Sequence, residues 1–383
     1  MDIEPLAGRE YFPAISKFTY LNAASIALMF KGACEAAVAW QRDLAENGTL
    51  GFDEAAEQSV FSGVHEAFAR LIGATARDIA VGSSFTELVA SLAWAMMPAR
   101  PENIVGVDVV FPSTIYPWLR VANTTGCEIR LLRTNDYYAD ENELAGLIDD
   151  NTAVVAISHV EFGSGQRYDL QRLAEVAHSH GALLAVDATQ SAGAIPIDVS
   201  RDGVDILVAA GYKWLCGPFG AAVMYVAPHL QTRFEPGLAG FRSHTDMWDL
   251  RADRIQYRDD AGRFEFGTMA YGCALGLAEA IKFILSLGVD AVCAHDFKLR
   301  TRLAEGLKQR GAQLLSPVED TECSPIVSAR FAGFSSRRLV DSLRQQDVIV
   351  SPRADFVRFS PHLYNSSDDI DHALEVLDRA LAP

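Results

Sequence analysis

No run of apolar residues in this chain approaches the ~20 needed to cross a bilayer as a helix. The opening Met1-Asp2-Ile3-Glu4-Pro5 is acidic, with neither a basic nor a hydrophobic leader region, so a cytoplasmic protein is expected. Positive charge is scarce: 33 Lys and Arg face 50 Asp and Glu, a net charge of −17 that repels phosphate backbones and anionic lipid headgroups. Neither nucleic acid nor membrane is an expected partner. The six cysteines (Cys34, Cys127, Cys216, Cys273, Cys293 and Cys323) show no C-x-x-C spacing, which argues against a zinc site and against structural disulfides. Most read as small buried hydrophobes, and no metal is expected. Internal repeats, low-complexity tracts and long linkers are also missing.

What remains is an ordinary globular composition, 49% hydrophobic over 383 residues, enough for two domains sharing a large core. From Ile79 to Val226, apolar runs at 103–110, 128–132, 153–158, 183–188, 205–209 and 221–226 alternate with helical patterns. That alternation predicts an α/β fold whose mainly parallel sheet is covered by helices on both faces, with ligands gathering at the carboxyl ends of the strands. Helices are expected over 85–97, beside Gly82-Ser83-Ser84, and over 169–177. After residue 272 the pattern turns helical (272–287 and 289–309), then gives short strands near 326–331 and 348–351 and a last helix over 367–381. The domain reading is therefore an N-terminal segment (1–25) packing on the small domain, a large domain (26–268) and a small α+β domain (269–383). The charged, irregular stretch from Leu238 to Asp260 reads as a mobile active-site loop.

One lysine stands out. Lys213 lies in Gly211-Tyr212-Lys213-Trp214-Leu215-Cys216-Gly217-Pro218, directly after an apolar strand. Burial disfavours an ammonium, and a neutral amine is what Schiff-base formation with an aldehyde requires. Upstream, Leu183 to Asp187 ends a second apolar strand on a carboxylate. Alone, the lysine reads as a snorkelling side chain and the aspartate as a turn residue. Together they suit pyridoxal phosphate (PLP), which needs a lysine, an acid at the pyridine nitrogen, a donor to the phenolic oxygen, a ring stacker and a phosphate cradle. Asp187 fits the pyridine nitrogen, Gln190 the phenolic oxygen, and Phe111 the ring face. Ser84, Phe85 and Thr86 open a helix whose N–H groups and dipole suit a phosphate, and Tyr212 adds a phenolic donor.

The chain resembles class V aminotransferase-fold enzymes, the group of cysteine desulfurases, selenocysteine lyases, kynureninases and isopenicillin N epimerases. The likeness is carried in order by Tyr20-Leu21-Asn22-Ala23-Ala24, Ser84 to Glu87, Phe111-Pro112-Ser113 with Pro117-Trp118, Ser158-His159-Val160, Val186 to Gln190, Gly211-Tyr212-Lys213, Arg263 to Thr268 and Arg358 to Asn365. It implies the type I PLP-dependent transferase fold with a seven-stranded sheet. It also implies a homodimer with its active site at the subunit interface, in which Gly267 and Thr268 reach the partner's phosphate. Arg358 then grips the substrate α-carboxylate, and Asn22 and His159 join the substrate site. Arg167, His244 and Arg353 are further candidates for substrate contacts.

Three departures from the desulfurase pattern bear on function. Ala210 stands where a phosphate-binding serine is expected, and Phe162 replaces an asparagine near the phenolic oxygen. The stretch Ser351 to Val357 before Arg358 carries no thiol, and persulfide formation needs a thiolate nucleophile. The expected reaction therefore runs through an external aldimine and a quinonoid to elimination or C–S cleavage of a cysteine-type amino acid. Epimerisation, transamination and decarboxylation are the alternatives. A non-catalytic PLP-fold binding protein is a different class of reading, which the joint presence of Lys213, Asp187 and Arg358 disfavours.

Overall fold

The computed structural model describes residues 2–382. The N-terminal half runs through β1 (Thr19–Tyr20), α1 (Lys31–Asn47), α2 (Glu54–Ser59), α3 (Ser62–Ile72), β2 (Ile79–Gly82), α4 (Phe85–Met96), β3 (Asn103–Val107), α5 (Pro112–Thr125) and β4 (Glu128–Leu132). Next come α6 (Glu141–Ala145), β5 (Thr152–Ser158), α7 (Leu170–Ser179), β6 (Leu183–Asp187), β7 (Ile206–Ala210) and β8 (Ala222–Val226). The C-terminal part holds α8 (Tyr271–Leu287), α9 (Val289–Gln309), β9 (Gln313–Leu314), β10 (Val327–Arg330) and α10 (Ser336–Arg344). It closes with β11 (Val348–Ile349), β12 (Ser351–Arg353), β13 (Phe356–Phe359) and α11 (Ser367–Leu381).

Seven strands form the main sheet in the order β2-β8-β7-β6-β5-β3-β4. Strands β3 to β7 run parallel, and β8 is antiparallel to both of its neighbours, so the edge strand β2 points the same way as the parallel set. Residues of β3, β6, β7 and β8 are buried along their whole length, which explains why these runs lack alternation: both faces are covered. The expected strand over 103–110 stops at Val107, and Phe111 instead caps α5, with Pro112 at the first helical position where its missing N–H costs nothing.

Two hydrophobic cores share the chain. The larger surrounds the sheet and includes Tyr271, Ala274, Leu277, Ile281 and Ile284 of α8. The smaller joins Leu299, Leu303 and Leu307 of α9 to Val327, Val357, Phe359, Leu374 and Leu377. The boundary expected at 268/269 is therefore displaced: α8 buries its apolar faces in the large core, and the division falls within α9. The N-terminal segment bridges both, with β1 pairing β11 and Leu21 in the small core, while Phe12, Ala23 and Ala24 sit in the large one.

Candidate active site

Ser158 and Asp187 end β5 and β6 opposite one another in register, and Lys213 follows β7 by three residues. All three meet at the carboxyl ends of the parallel strands, in a cavity of about 490 Å³. Its walls include Ser84, Phe85 and Thr86 from the start of α4, Phe111 and Ser113 from the start of α5, and Phe162, Thr189, Gln190, Ala210 and Tyr212.

Lys213 is almost fully buried, and burial pushes its amine down to about 8, against the opposing pull of Asp187; Arg358 and Arg353 push it lower. Its Nζ stands 5.4 Å from the centre of the Phe111 ring and 6.0 Å from that of Tyr212. Asp187 is buried as well, which raises its carboxyl pKa, while hydrogen bonds and Lys213 resist the rise. Thr114 Oγ1 donates to one carboxylate oxygen at 3.0 Å and the Thr189 N–H to the other at 2.9 Å. The carboxylate is thereby fixed in orientation.

The Lys213 turn is held by tight packing. Gly193 adopts φ +92°, and a Cβ there would stand 2.6 Å from the Trp214 carbonyl oxygen, so only glycine lets the two segments approach. That same oxygen faces Nε2 of the buried His362 at 3.1 Å, while His362 Nδ1 faces Asp296 at 2.7 Å. Two acceptors require two N–H groups. His362 is accordingly an imidazolium: burial opposes its charge, but Asp296, seconded by Cys216, prevails and lifts its pKa to about 10.

At the start of α4, Ser84 caps the helix by accepting from the Glu87 N–H. The N–H groups of Phe85 and Thr86 find no acceptor among the described residues, and Thr86 Oγ1 lies 2.9 Å from Ser113 Oγ. Free donors, hydroxyls and a positive helix end make a phosphate cradle. Phe111 is 42% exposed and is braced edge-on by Phe162 at 5.4 Å, leaving a ring face open to a flat ligand. Gln190 lines the cavity, with its amide engaged by Trp214 Nε1 at 2.7 Å and the Ala24 carbonyl at 3.0 Å.

Beyond Phe162 lies an arginine cluster. Arg358, fully buried on β13, donates to the Phe162 carbonyl at 2.6 Å and to Ser25 Oγ at 2.5 Å. Arg353 donates to the same hydroxyl at 2.9 Å. Ser25 in turn lies 2.8 Å from Ser351 Oγ, which donates to Asn22 Oδ1 at 2.7 Å. Asn22 thus acts through Ser351 and Ser25 on the arginines and does not line the cavity.

Several expected site residues lie elsewhere. His159 turns away from the Lys213 cavity into a separate polar cleft beside Arg167, and burial drops its pKa to about 3. Arg167 is spent on the backbone carbonyls of Asp320 and Thr321. His244 is tied to the Asp246 backbone, and no residue of the 238–260 stretch lines the cavity; the segment is bound up in Arg251–Asp253, Arg254–Asp249 and Arg258–Asp260 pairs. Gly267 and Thr268 also stand outside their own chain's cavity. Conversely, Thr114 and Ser25 were not singled out from sequence. Each is an ordinary hydroxyl residue whose partner lies far along the chain.

Residues 19–372 match the model of the family Aminotransferase class-V, and the chain belongs to that family of pyridoxal-phosphate-dependent enzymes. The uncharacterized aminotransferase YcbU of Bacillus subtilis is 27% identical over 375 residues, 98% of each chain. A probable cysteine desulfurase of Halobacterium salinarum is 26% identical, over 99% of this chain and 97% of its own. Among solved structures, the cystine C–S lyase C-DES in complex with its reaction product cysteine persulfide superposes with a TM-score of 0.87 at 24% identity. That superposition covers 96% of this chain and 98% of the other, and it shows a shared fold. The residues of the cavity suit the coenzyme: a buried lysine of lowered pKa, an oriented carboxylate, an open aromatic face and unpaired helix N–H groups occupy one space.

Proposed function

We propose that this enzyme breaks the carbon–sulfur bond of a cysteine-type amino acid by elimination, releasing a thiol, pyruvate and ammonia, without loading sulfur onto a cysteine of its own. The observation that carries the reading is a cavity with Lys213 and Asp187 but no cysteine among its lining residues. Cys323 is buried and its thiol pKa is raised by burial, which keeps it protonated and inert. The β12–β13 hairpin that leads to Arg358 offers no thiol either.

Bound pyridoxal phosphate supplies an electron sink for the pair released at the substrate α-carbon. The chain's own contribution is acid–base and electrostatic. Lys213 Nζ, with a pKa near 8, holds or yields a proton close to neutral pH, where general acid–base catalysis is most effective. Asp187, fixed by Thr114 and Thr189, presents a negative charge to a protonated ring nitrogen. Arg358 grips the α-carboxylate in a planar fork. C-DES is a cystine C–S lyase by its name, and the shared fold is compatible with that chemistry here.

The enzyme is further proposed to be a homodimer. Gly267 is half-buried and Thr268 exposed, outside their own cavity, which suits a role in the partner's phosphate site. The reaction is tested by incubating the holoenzyme with S-substituted cysteines and with ordinary L-amino acids, with and without a keto acid. Stoichiometric thiol and pyruvate support the elimination. Recovery of inverted amino acid alone, or amine exchange that depends on the keto acid, replaces it with epimerisation or transamination.

A further inference from the structure

Arg353 and Arg358 approach each other without a counter-ion. Their Nη2 atoms donate to one shared oxygen, Ser25 Oγ, at 2.9 and 2.5 Å. Their remaining protein partners are neutral backbone carbonyls, Pro352 for Arg353 and Phe162 for Arg358. Arg358 is fully buried, and its Nε is sealed from solvent with no acceptor among the described residues. No carboxylate of the described chain forms an ion pair with either guanidinium.

This arrangement is costly as it stands. A buried charge lacking a partner is among the least favourable features a protein can hold, and two like charges sharing one acceptor aggravate it. Burial lowers the pKa of both guanidinium groups, and Arg353 lowers that of Arg358 further. Ser25 cannot relieve the strain: it accepts from both arginines and has one proton to give, to Ser351. Other cations near the cavity are already matched, Lys213 by Asp187 and His362 by Asp296. In a chain of net charge −17, leaving two adjacent arginines without an acid marks a place kept for an incoming anion.

One α-carboxylate neutralises one guanidinium. We infer that the substrate is dianionic: its α-carboxylate pairs with Arg358, and a second carboxylate on the side chain pairs with Arg353, which is half-buried where Arg358 is fully buried. This rests on the proposed amino-acid site at Lys213 and narrows it to cysteines whose sulfur substituent ends in a carboxylate. Arg353 is then the residue that sets specificity.

The test compares charged and neutral partners of equal shape on the holoenzyme, reading Kd from the change in coenzyme absorbance and KM from thiol release. The pairs are S-carboxymethylcysteine against S-carbamoylmethylcysteine, and glutamate against glutamine. Wild type is expected to prefer the carboxylate of each pair by about tenfold to hundredfold, the range of a charge-assisted pair. Arg353→Gln brings that ratio toward one, and the loss appears in KM more than in kcat. Equal binding of both partners by wild type, no absorbance response to any of them, or a ratio unchanged in Arg353→Gln would each overturn the inference. The last result removes Arg353 from the side-chain carboxylate. Glutamate and glutamine contain no C–S bond, so a preference there without thiol release from the cysteine pair refutes the lyase reading and leaves the dianion reading standing.

Discussion

Removing the amino group of Lys213 while keeping its bulk should stabilise the apoprotein. Burial takes this amine from its ordinary 10.5 to about 8, so its protonated form is less favourable inside the fold than in the unfolded chain. At 1.36 kcal/mol per pKa unit, the depression amounts to about 3 kcal/mol of destabilisation wherever the group is charged in both states. The sign follows directly. Below pH 8 the full cost is present; between 8 and 10.5 the folded protein is neutral while the unfolded chain is still charged, and the cost fades. Lys213→Met, similar in length and apolar, should raise the urea-derived stability of the coenzyme-free protein by about 3 kcal/mol at pH 7, with a gain that shrinks toward pH 10.5. A variant no more stable than wild type at pH 7, or a gain independent of pH, would contradict the claim that the fold holds a destabilised amine.

Other consequences concern the residues around that lysine. Thr114→Val removes a hydrogen bond to the buried Asp187 carboxylate, a loss of about 1.5–3 kcal/mol that should lower kcat by roughly tenfold to hundredfold. Steady-state kinetics check it, and unaltered kcat argues against Asp187 acting on the coenzyme. Because the His362 pKa is raised to about 10, its pairing with Asp296 contributes fully below the ordinary 6.5 and is lost as pH climbs through 10. The stability difference between wild type and His362→Gln, followed by urea titration, should shrink over that window; a constant difference means that the imidazole is not charged. Sedimentation equilibrium should give twice the 41.7 kDa chain mass, and Thr268→Ala should weaken PLP retention on dialysis. A monomer that retains the coenzyme equally well removes Thr268 from the phosphate site.

Much of the site was legible because burial and charge conflict openly in the sequence. Lys213 and Asp187 are ionisable residues at the ends of apolar runs, and it is their joint occurrence there that points to chemistry. Strand direction was less legible. Val223 to Val226 look the same in a parallel or an antiparallel strand that is covered on both faces, so β8 gave no hint of its reversal. Helix α8 is apolar enough to serve either core, and its close approach to α1, where a Cβ on Gly276 would stand 2.6 Å from the Ala33 carbonyl oxygen, is a contact that no periodicity reveals. His159 was expected beside the substrate from its place just after a strand end and from the family likeness of Ser158-His159-Val160, and Ser158 does line the cavity. Successive residues point to opposite faces at a strand end, and that alternation sends its ring to the other side. Ser25 and Arg358 are 333 residues apart, and only the folded chain brings them together.

The most direct test of the account is chemical. Reducing the yellow holoenzyme with borohydride and mapping its peptides by mass spectrometry should place the pyridoxyl group on the peptide that contains Lys213, with Lys213→Ala unlabelled and inactive. Label on another lysine, or turnover surviving in Lys213→Ala, would contradict it.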